Sequence, residues 1–281
     1  MVVFSEEEID ALLREDVPYF DLTTYLLGIG KERGRMEFSA RHDIVVCGTE
    51  ECCRLFKKAG LEIRKCLPSG SEVSAGEVFL EVEGLAEGLH LTWKVAQNVL
   101  EYASGIATRT KKLVSLAKEV NENVEVVTTR KTFPFAKKLC IKAILAGGAL
   151  PHRLGLSESV LVFENHTKFL GGLDKLLEMI PELKKRVPEK KIVVEVNSFE
   201  EAFSALSAGV EVVQLDKFSV EDVVKVVDFR NQKFPNAKVA AAGGINETNI
   251  KSYAATGVDI IVLTCAYFGK PADVKVRMER C

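Results

Sequence analysis

From about residue 124 onward, short β-branched runs alternate with segments of helical periodicity, and this alternation limits the possible folds more than any other feature. Strands that alternate with helices along a chain form a parallel sheet that the helices cover. Six short apolar strands favour a closed or nearly closed α/β barrel, with an open doubly wound sheet as the alternative. The predicted strands are residues 124–127, 159–163, 191–196, 211–215, 238–241 and 259–263, and the predicted helices are residues 135–147, 170–187, 198–208, 220–234 and 247–256.

The first hundred residues follow a different pattern, in which strands and helices do not alternate regularly. A mainly helical stretch, residues 85–120, comes next, and the alternation of residues 273–278 predicts an edge strand. We therefore predict two domains, residues 1–113 and 114–270, with the tail at about 271–281 returning to the N-terminal sheet. Within the first domain the predicted helices are residues 6–14 and 50–59, and the predicted strands are residues 35–41, 44–47, 61–65 and 77–82.

Bulk composition excludes several classes of protein. A net charge of -2 does not indicate a surface that binds nucleic acid, so any anion site must be formed by a small group of residues. No apolar run is long enough to span a membrane, and four scattered histidines have no zinc-ligand spacing. The seven cysteines form no C-x-x-C pair and are odd in number. We therefore expect reduced thiols in a cytoplasmic protein.

Two cationic segments indicate an anion pocket. Thr128-Thr129-Arg130-Lys131-Thr132 follows a predicted buried strand, and Pro151-His152-Arg153 comes about twenty residues later. Cations that emerge at a strand end, in a chain of nearly neutral charge, predict a site for a strongly anionic ligand. The alternative is a solvated turn with a helix cap.

Polar residues follow all six predicted strands of the barrel, where barrel enzymes place their chemistry. Arginine, lysine and histidine can bind phosphate or carboxylate, whereas paired carboxylates suit sugar hydroxyls or Mg²⁺. A glycine pair can present backbone N–H groups to a phosphate. Together these groups predict a phosphorylated sugar as ligand, although Asp216 could simply cap a helix. In strand order the groups are Arg130 and Lys131; Glu164, Asn165 and His166; Glu195 and Asn197; Asp216 and Lys217; Gly243 and Gly244; and Thr264.

A set of ordered motifs across nearly the whole chain resembles the quinolinate phosphoribosyltransferase family, also called nicotinate-nucleotide pyrophosphorylase (carboxylating). The resemblance implies an N-terminal α/β sandwich followed by an open, partial α/β barrel of about six to seven strands. It also implies a homodimer, or a higher oligomer, in which one subunit completes the site of the other. The motifs are Asp21-x-Thr23-Thr24, Ser104-Gly105-Ile106-Ala107-Thr108, Thr129-Arg130-Lys131-Thr132, His152-Arg153-Leu154-Gly155-Leu156, Asn165-His166, Glu195-Val196 and Gly243-Gly244-Ile245.

The resemblance also implies a pentosyltransferase reaction. The ring nitrogen of a small carboxylated acceptor would attack C1 of phosphoribosyl pyrophosphate as pyrophosphate leaves. Arg130, His152 and Arg153 would clamp the acceptor's carboxylates, and Lys131 would contact phosphoribosyl pyrophosphate. Glu195 and Asp216 would hold ribose hydroxyls and the Mg²⁺-bound pyrophosphate, directly or indirectly. The remaining implied substrate-binding residues are Lys94 (from the partner subunit), Glu164, Asn165, His166, Gly243, Gly244 and Thr264.

Departures from the family pattern make the pocket less cationic and more apolar. The family's Lys-Asp-Asn-His is Phe163-Glu164-Asn165-His166 here, and its Glu-Arg pair is Trp93-Lys94. These changes, with Pro151, Ala240-Ala241-Ala242 and Thr264, resemble the ModD branch, whose name reflects association with molybdenum-transport genes. We therefore expect an anionic pyridine-like acceptor that need not be quinolinate. The alternatives are a true nicotinate-nucleotide pyrophosphorylase of NAD biosynthesis and a non-catalytic paralogue in molybdenum handling.

Overall fold

The structure is a computed structural model that describes residues 2–281. Two compact units divide the chain: residues 2–111, 132–148 and 266–281 form the first, and residues 112–131 and 149–265 form the second. The segment 132–148 groups with the first unit, whereas the predicted domain boundaries at 113 and 270 assign it to the barrel. Those boundaries stay predictions.

The secondary structure follows the predicted pattern along most of the chain. In chain order the elements are α1 (Glu6–Asp16), α2 (Leu22–Leu27), β1 (Arg33–Ala40), β2 (Ile44–Val45), α3 (Thr49–Lys58), β3 (Glu62–Cys66), β4 (Glu72–Val73), β5 (Val78–Leu85), α4 (Ala86–Lys118), β6 (Glu125–Thr128), α5 (Lys137–Ala146), β7 (Leu150–Pro151), β8 (Val160–Val162), α6 (Glu164–Leu170), α7 (Leu173–Arg186), β9 (Ile192–Val196), α8 (Phe199–Ser207), β10 (Val212–Asp216), α9 (Val220–Lys233), β11 (Lys238–Ala242), α10 (Ile250–Ala255), β12 (Ile260–Leu263) and β13 (Val274–Arg280).

The first unit is built around a four-stranded antiparallel sheet with strand order β13-β1-β5-β3. Strand β1 buries every second residue, so that Met36, Phe38 and Ala40 face one side. Their side chains join Phe56 of α3 in an apolar core. The sheet forms because this alternation lets one face exclude water while the other stays solvated.

Helix α2 begins at the first motif of the resemblance. The Asp21 side chain accepts hydrogen bonds from the backbone N–H groups of Thr23 (2.9 Å) and Thr24 (3.2 Å), which satisfies two free donors of the first helical turn. The Thr24 hydroxyl also lies 2.9 Å from Nδ1 of His90. The motif therefore acts locally as a helix N-cap.

The second unit contains a seven-stranded parallel sheet with strand order β7-β6-β12-β11-β10-β9-β8. The strands are short and almost wholly buried, which is typical of parallel sheets covered by helices. Strands β7 and β8 are the two ends of this order, so the prediction of an open, partial barrel is confirmed. Strand β7 was not predicted, because two residues that include a proline give no strand signal.

One face of each barrel strand packs into a shared apolar layer. Residues Val193 of β9 and Val212 of β10 are in register, and Glu195 and Gln214 follow two residues later on the same faces. The polar residues near the strand ends thus rest on this layer, whose buried members are Val127, Leu161, Val193, Val212, Ala240, Ala242 and Val262.

In the described part of the chain, the helices are all too short or too polar to cross a lipid bilayer.

Candidate active site

The parallel sheet brings the predicted polar residues of the second unit to one edge. Arg130 and Lys131 follow β6, and His152 and Arg153 follow β7, where His152 N–H donates to the carbonyl of Thr128 at 2.9 Å. Asp216, the last residue of β10, is in register with Ala242 at the end of β11. Since parallel strands end on the same side, the cationic and acidic residues share this edge.

Arg153 is the most unusual of the cations. Arg153 is only 8% exposed, yet its guanidinium forms no ion pair with any of residues 2–281. Burial and then the neighbouring charge of Arg130 lower the pKa of Arg153 below its usual value. The guanidinium carbon lies 5.9 Å from the ring centroid of Phe163. A buried cation beside a second cation, without an internal counter-ion, indicates a site for an external anion.

His152 contributes a hydrogen-bonding group to this cluster. Burial, followed by the charge of Arg153, lowers the pKa of His152 below the ordinary 6.5. The imidazole is therefore neutral at neutral pH and can offer one N–H donor and one acceptor. The permanent positive charges beside His152 are therefore those of Arg130 and Arg153.

Glu195 and Asp216 form the acidic part of the same edge. Burial raises the pKa of Glu195 above 4.5, and the charge of Asp216 raises it further. A hydrogen bond from Gln214 and the charges of Lys131 and Lys217 oppose the increase. The structure thus places Lys131, Glu195 and Asp216, the three predicted catalytic residues, within one electrostatic cluster.

The loop after β11 packs tightly against the acidic residues. Gly243 has a φ of +87°, and a Cβ atom there would lie 2.6 Å from Oδ1 of Asp216 and 2.9 Å from the backbone nitrogen of Lys217. Gly244 also has a positive φ, +74°, but faces open space. Lys217 itself has a φ of +59°, an uncommon conformation for a residue with a side chain. Such strained backbone often marks functional sites.

Thr264 joins two loops of the site. Its hydroxyl lies 2.9 Å from the hydroxyl of Thr129, which connects the loop after β12 with the loop after β6. The side chain of Thr264 therefore positions the segment that carries Arg130. Direct substrate contact by Thr264 stays a prediction.

The three predicted residues after β8 lie at the start of α6. Glu164 forms an exposed ion pair with Lys168 at 2.9 Å, and Nδ1 of His166 accepts a hydrogen bond from the backbone N–H of Phe163 at 3.0 Å. The His166 and Phe163 rings are stacked with centroids 5.8 Å apart. Asn165 is exposed. Glu164 and His166 thus have local structural partners, and their contact with substrate remains a prediction.

Lys94 lies in α4, within the first unit. Its ammonium donates to the side chain of Gln97 at 3.1 Å and lies 4.4 Å from the ring centroid of Trp93. Its predicted role, from a partner subunit, stays a prediction.

Gln214 is the polar residue of this cluster that sequence reasoning missed. It is 4% exposed, and its side-chain N–H donates to Oε2 of Glu195 at 2.6 Å. The signal was a glutamine in the middle of an apolar strand, two residues before Asp216, where a buried strand normally has an apolar side chain.

The fold and the site define an α/β barrel whose strand ends gather arginines, lysines and carboxylates for an anionic ligand. Comparison with known proteins agrees with this class. Residues 21–104 match the family description "Quinolinate phosphoribosyl transferase, N-terminal domain", and residues 106–277 match the corresponding C-terminal domain. The chain therefore belongs to the quinolinate phosphoribosyl transferase family, and it is a phosphoribosyltransferase, an enzyme of the pentosyltransferase class.

Three relatives illustrate its position in that family. The ModD protein of Escherichia coli O157:H7, named as a pyrophosphorylase, is 37% identical over 279 residues, which are 99% of this chain and 98% of the relative. A protein of Methanocaldococcus jannaschii named as nicotinate-nucleotide pyrophosphorylase (carboxylating) is 34% identical and covers 89% and 88% of the two chains. The nicotinate-nucleotide pyrophosphorylase structure from Ehrlichia chaffeensis is 26% identical, with a TM-score of 0.90 over 99% of this chain and 100% of the other.

Proposed function

We propose that the enzyme transfers phosphoribose from phosphoribosyl pyrophosphate to the ring nitrogen of an anionic, pyridine-like acceptor and releases pyrophosphate. The observation that carries this proposal is the buried Arg153, which has no ion pair within the described chain and lies beside Arg130. An acceptor carboxylate would supply the missing counter-ion. Because a charge-assisted hydrogen bond contributes about 1.5–3 kcal/mol, this pair can select strongly for anions.

The acidic cluster suits the sugar and a metal ion. Mg²⁺ is commonly held by one or two carboxylates together with substrate phosphates and water, and Glu195 with Asp216 fits this donor set. The metal would spread the charge of the leaving pyrophosphate. Lys131 lies close enough to affect the pKa of Glu195, so its ammonium can share this role. The two carboxylates can also bind ribose hydroxyls and stabilise the positive charge that develops at C1.

The acceptor pocket has an aromatic ring where the family usually has a lysine. Phe163 packs on the apolar layer of the barrel and lies beside Arg153. With one cation fewer, a second carboxylate of the acceptor would lack a partner. We therefore propose that quinolinate, a dicarboxylate, is a poor acceptor.

Pyrophosphate release from phosphoribosyl pyrophosphate, with Mg²⁺ and either quinolinate or nicotinate, tests the proposal. We expect Mg²⁺-dependent binding of phosphoribosyl pyrophosphate and slow turnover with quinolinate. Rapid turnover with quinolinate would contradict the acceptor preference, and no binding of phosphoribosyl pyrophosphate would contradict the reaction itself.

A second candidate is the nicotinate-nucleotide pyrophosphorylase reaction with quinolinate. Retention of Arg130, His152 and Arg153 favours it, because the resemblance gives these residues the role of clamping the carboxylates of the pyridine substrate. Phe163→Lys distinguishes the two candidates. We expect it to increase quinolinate affinity by about tenfold if the missing cation limits binding, whereas unchanged affinity would support the second candidate.

We further propose a homodimer with a shared site in the cytoplasm. Large apolar side chains are exposed on and next to α2, beside a cavity of about 830 Å³, and a second subunit would cover them. The seven free cysteines support a reducing compartment. The exposed residues are Tyr19, Phe20, Leu22, Tyr25, Leu26 and Leu27.

A further inference from the structure

Gln214 has a hydrogen-bonding group for which the described chain offers no partner. Its side chain lies on the same face of β10 as Val212 and Asp216, above the apolar layer of the barrel. The amide N–H donates to Glu195 at 2.6 Å, whereas Oε1 accepts no hydrogen bond from residues 2–281 and is inaccessible to solvent. Buried polar atoms are nearly always paired, so this oxygen requires an explanation.

The orientation of the amide is set by its neighbour. An ionised carboxylate only accepts hydrogen bonds, so the NH₂ group of Gln214 must point towards Glu195. The opposite orientation would place the amide oxygen against a carboxylate oxygen. The unpaired atom is therefore Oε1, a hydrogen-bond acceptor.

The side chains that neighbour Gln214 on β11 are small. The residue in register on β11 is Ala240, and Ala242 follows two residues later on the same face. Methyl groups at these positions occupy little of the space beside the amide. An apolar side chain at position 214 would avoid the unpaired oxygen but would also remove the hydrogen bond to Glu195, so the unpaired oxygen is the cost of having glutamine here.

We propose that the amide of Gln214 shifts when a substrate binds at the strand ends, so that Oε1 accepts a hydrogen bond from a hydroxyl or N–H group of that substrate. This inference rests on the proposed function. A ribose hydroxyl of phosphoribosyl pyrophosphate is the favoured donor, because the same amide holds Glu195, which is proposed to bind the ribose. An N–H group on the acceptor has the same chemistry. Gln214 is thus a specificity-determining residue that recognises a donor on the substrate and orients Glu195.

Gln214→Met tests this role, because methionine keeps the length of the side chain and removes its polar atoms. Isothermal titration with phosphoribosyl pyrophosphate and Mg²⁺ should show affinity about tenfold weaker than that of wild type. The 2-deoxy and 3-deoxy analogues of phosphoribosyl pyrophosphate identify the hydroxyl. Wild type should bind one analogue more weakly than the parent compound, and Gln214→Met should show less of this difference. Gln214→Leu serves as a second apolar variant if the methionine variant does not fold.

A second binding experiment compares two acceptors, nicotinate and 2-aminonicotinate, of which the latter has an additional N–H donor. If wild type prefers 2-aminonicotinate and Gln214→Met does not, the inference is supported. The hydrogen-bond donor to Oε1 then lies on the acceptor. A merely structural glutamine would lower the melting temperature of Gln214→Met without changing which analogue or acceptor the protein prefers.

Asn121→Leu is the matched control. Asn121 is also an amide of the second unit, and its N–H groups donate to the carbonyls of Ala254 and Val258 at 3.2 and 3.4 Å. This variant should melt at lower temperature but bind phosphoribosyl pyrophosphate like wild type. If Gln214→Met binds every probe as wild type does, or loses affinity only in proportion to a lower melting temperature, the inference is wrong. If wild type itself binds no phosphoribosyl pyrophosphate, the proposed function is wrong instead.

Discussion

At the scale of single residues, the site combines groups that the folded chain holds at a cost. Arg153 is buried as a cation without a counter-ion, and Glu195 is buried beside a second carboxylate. Each would be more stable in water, and each would gain from a bound ligand of opposite charge or from a metal ion. Such groups give mutations an unusual signature, because binding and stability change in opposite directions.

Arg153→Met should weaken carboxylate binding without destabilising the fold. Loss of a charge-assisted contact of about 1.5–3 kcal/mol corresponds to roughly a tenfold to hundredfold weaker affinity for nicotinate. The melting temperature should stay constant or rise, because the repulsion with Arg130 is removed. The control is Arg230→Met: Arg230 is equally buried but forms an ion pair with Asp259 at 2.6 Å. That variant should lose stability and keep its affinity, and unfolding of Arg153→Met would make Arg153 structural.

Glu195→Gln should change how stability depends on pH. Because burial raises the pKa of Glu195 in the folded state, the folded chain binds more protons than the unfolded chain just above pH 4.5. This residue's contribution is therefore favourable at acid pH and is lost as pH rises through the folded-state pKa. Urea unfolding across this range should show that, as pH rises, the free energy of unfolding of Glu195→Gln increases relative to that of wild type. A constant difference between the two proteins would contradict the raised pKa.

At the scale of elements, each barrel strand delivers its polar residues through the turn that follows it. The turn after β11 depends on Gly243, where the backbone approaches Asp216 closely at positive φ. Helix N-caps are similarly local, as at Ser198 and Ser219, whose side chains accept from the backbone N–H groups of Glu201 and Asp222. Contacts between residues close in sequence or on neighbouring strands thus determine where each loop leaves the sheet.

Gly243→Ala and Gly244→Ala separate backbone strain from damage to the site. Both substitutions place a side chain at positive φ, which costs about 1 kcal/mol. Only the Cβ at position 243 would collide with Asp216. We expect similar small losses of stability from strain, with a larger loss of affinity for phosphoribosyl pyrophosphate in Gly243→Ala. Equal affinities in a titration would mean that the position of Asp216 does not depend on this contact.

Cys53 of α3 and Cys66 of β3 form a thiol pair with sulfur atoms 3.0 Å apart. The hydrogen bond from Cys53 lowers the pKa of Cys66, while it raises the pKa of Cys53. Iodoacetamide labelling of Cys66, followed by mass spectrometry, should therefore reach half its maximal rate at a lower pH than labelling of the exposed Cys281. In Cys53→Ala this midpoint should move to higher pH, and an unchanged midpoint would show that the hydrogen bond is not the cause.

The elements differ in how well the sequence predicted them. All six predicted barrel strands form, because apolar runs bounded by polar turns give a strong local signal. Helix α6 was not predicted, since seven residues carry too little periodicity. The expectation that barrel enzymes place polar residues at strand ends located Glu195 and Asp216 correctly at the edge of the sheet. It missed Gln214, because no sequence pattern reveals whether a buried amide oxygen has a partner.

At the scale of the whole molecule, the family implies that two copies of the chain build each site. The family resemblance implied this, with Lys94 supplied by the partner subunit, and we propose that the same partner covers the apolar surface near α2. Tertiary contacts within one chain carry no information about such a partner. The assembly therefore requires an experiment on mixed subunits.

Mixing inactive Lys94→Ala and Arg130→Ala subunits tests the shared site. If Lys94 acts in the neighbouring subunit, each mixed dimer has one intact site and one doubly altered site. Equal amounts with random pairing should then restore about one quarter of wild-type activity. The separate variants provide the baseline, and co-expression with two different tags allows the mixed dimer to be isolated. No recovery in the isolated mixed dimer would place Lys94 outside a shared site.

The discontinuity of the first unit has a consequence for biosynthesis. Strand β1 begins at Arg33, but its neighbour β13 ends at Arg280, so the ribosome must translate every element between them before the two can pair. Until then, one border of the nascent sheet keeps its main-chain amides and carbonyls open to other molecules, as unpaired strand borders generally do. Chaperone attachment to the nascent chain should thus end only when residues 274–280 have left the exit tunnel.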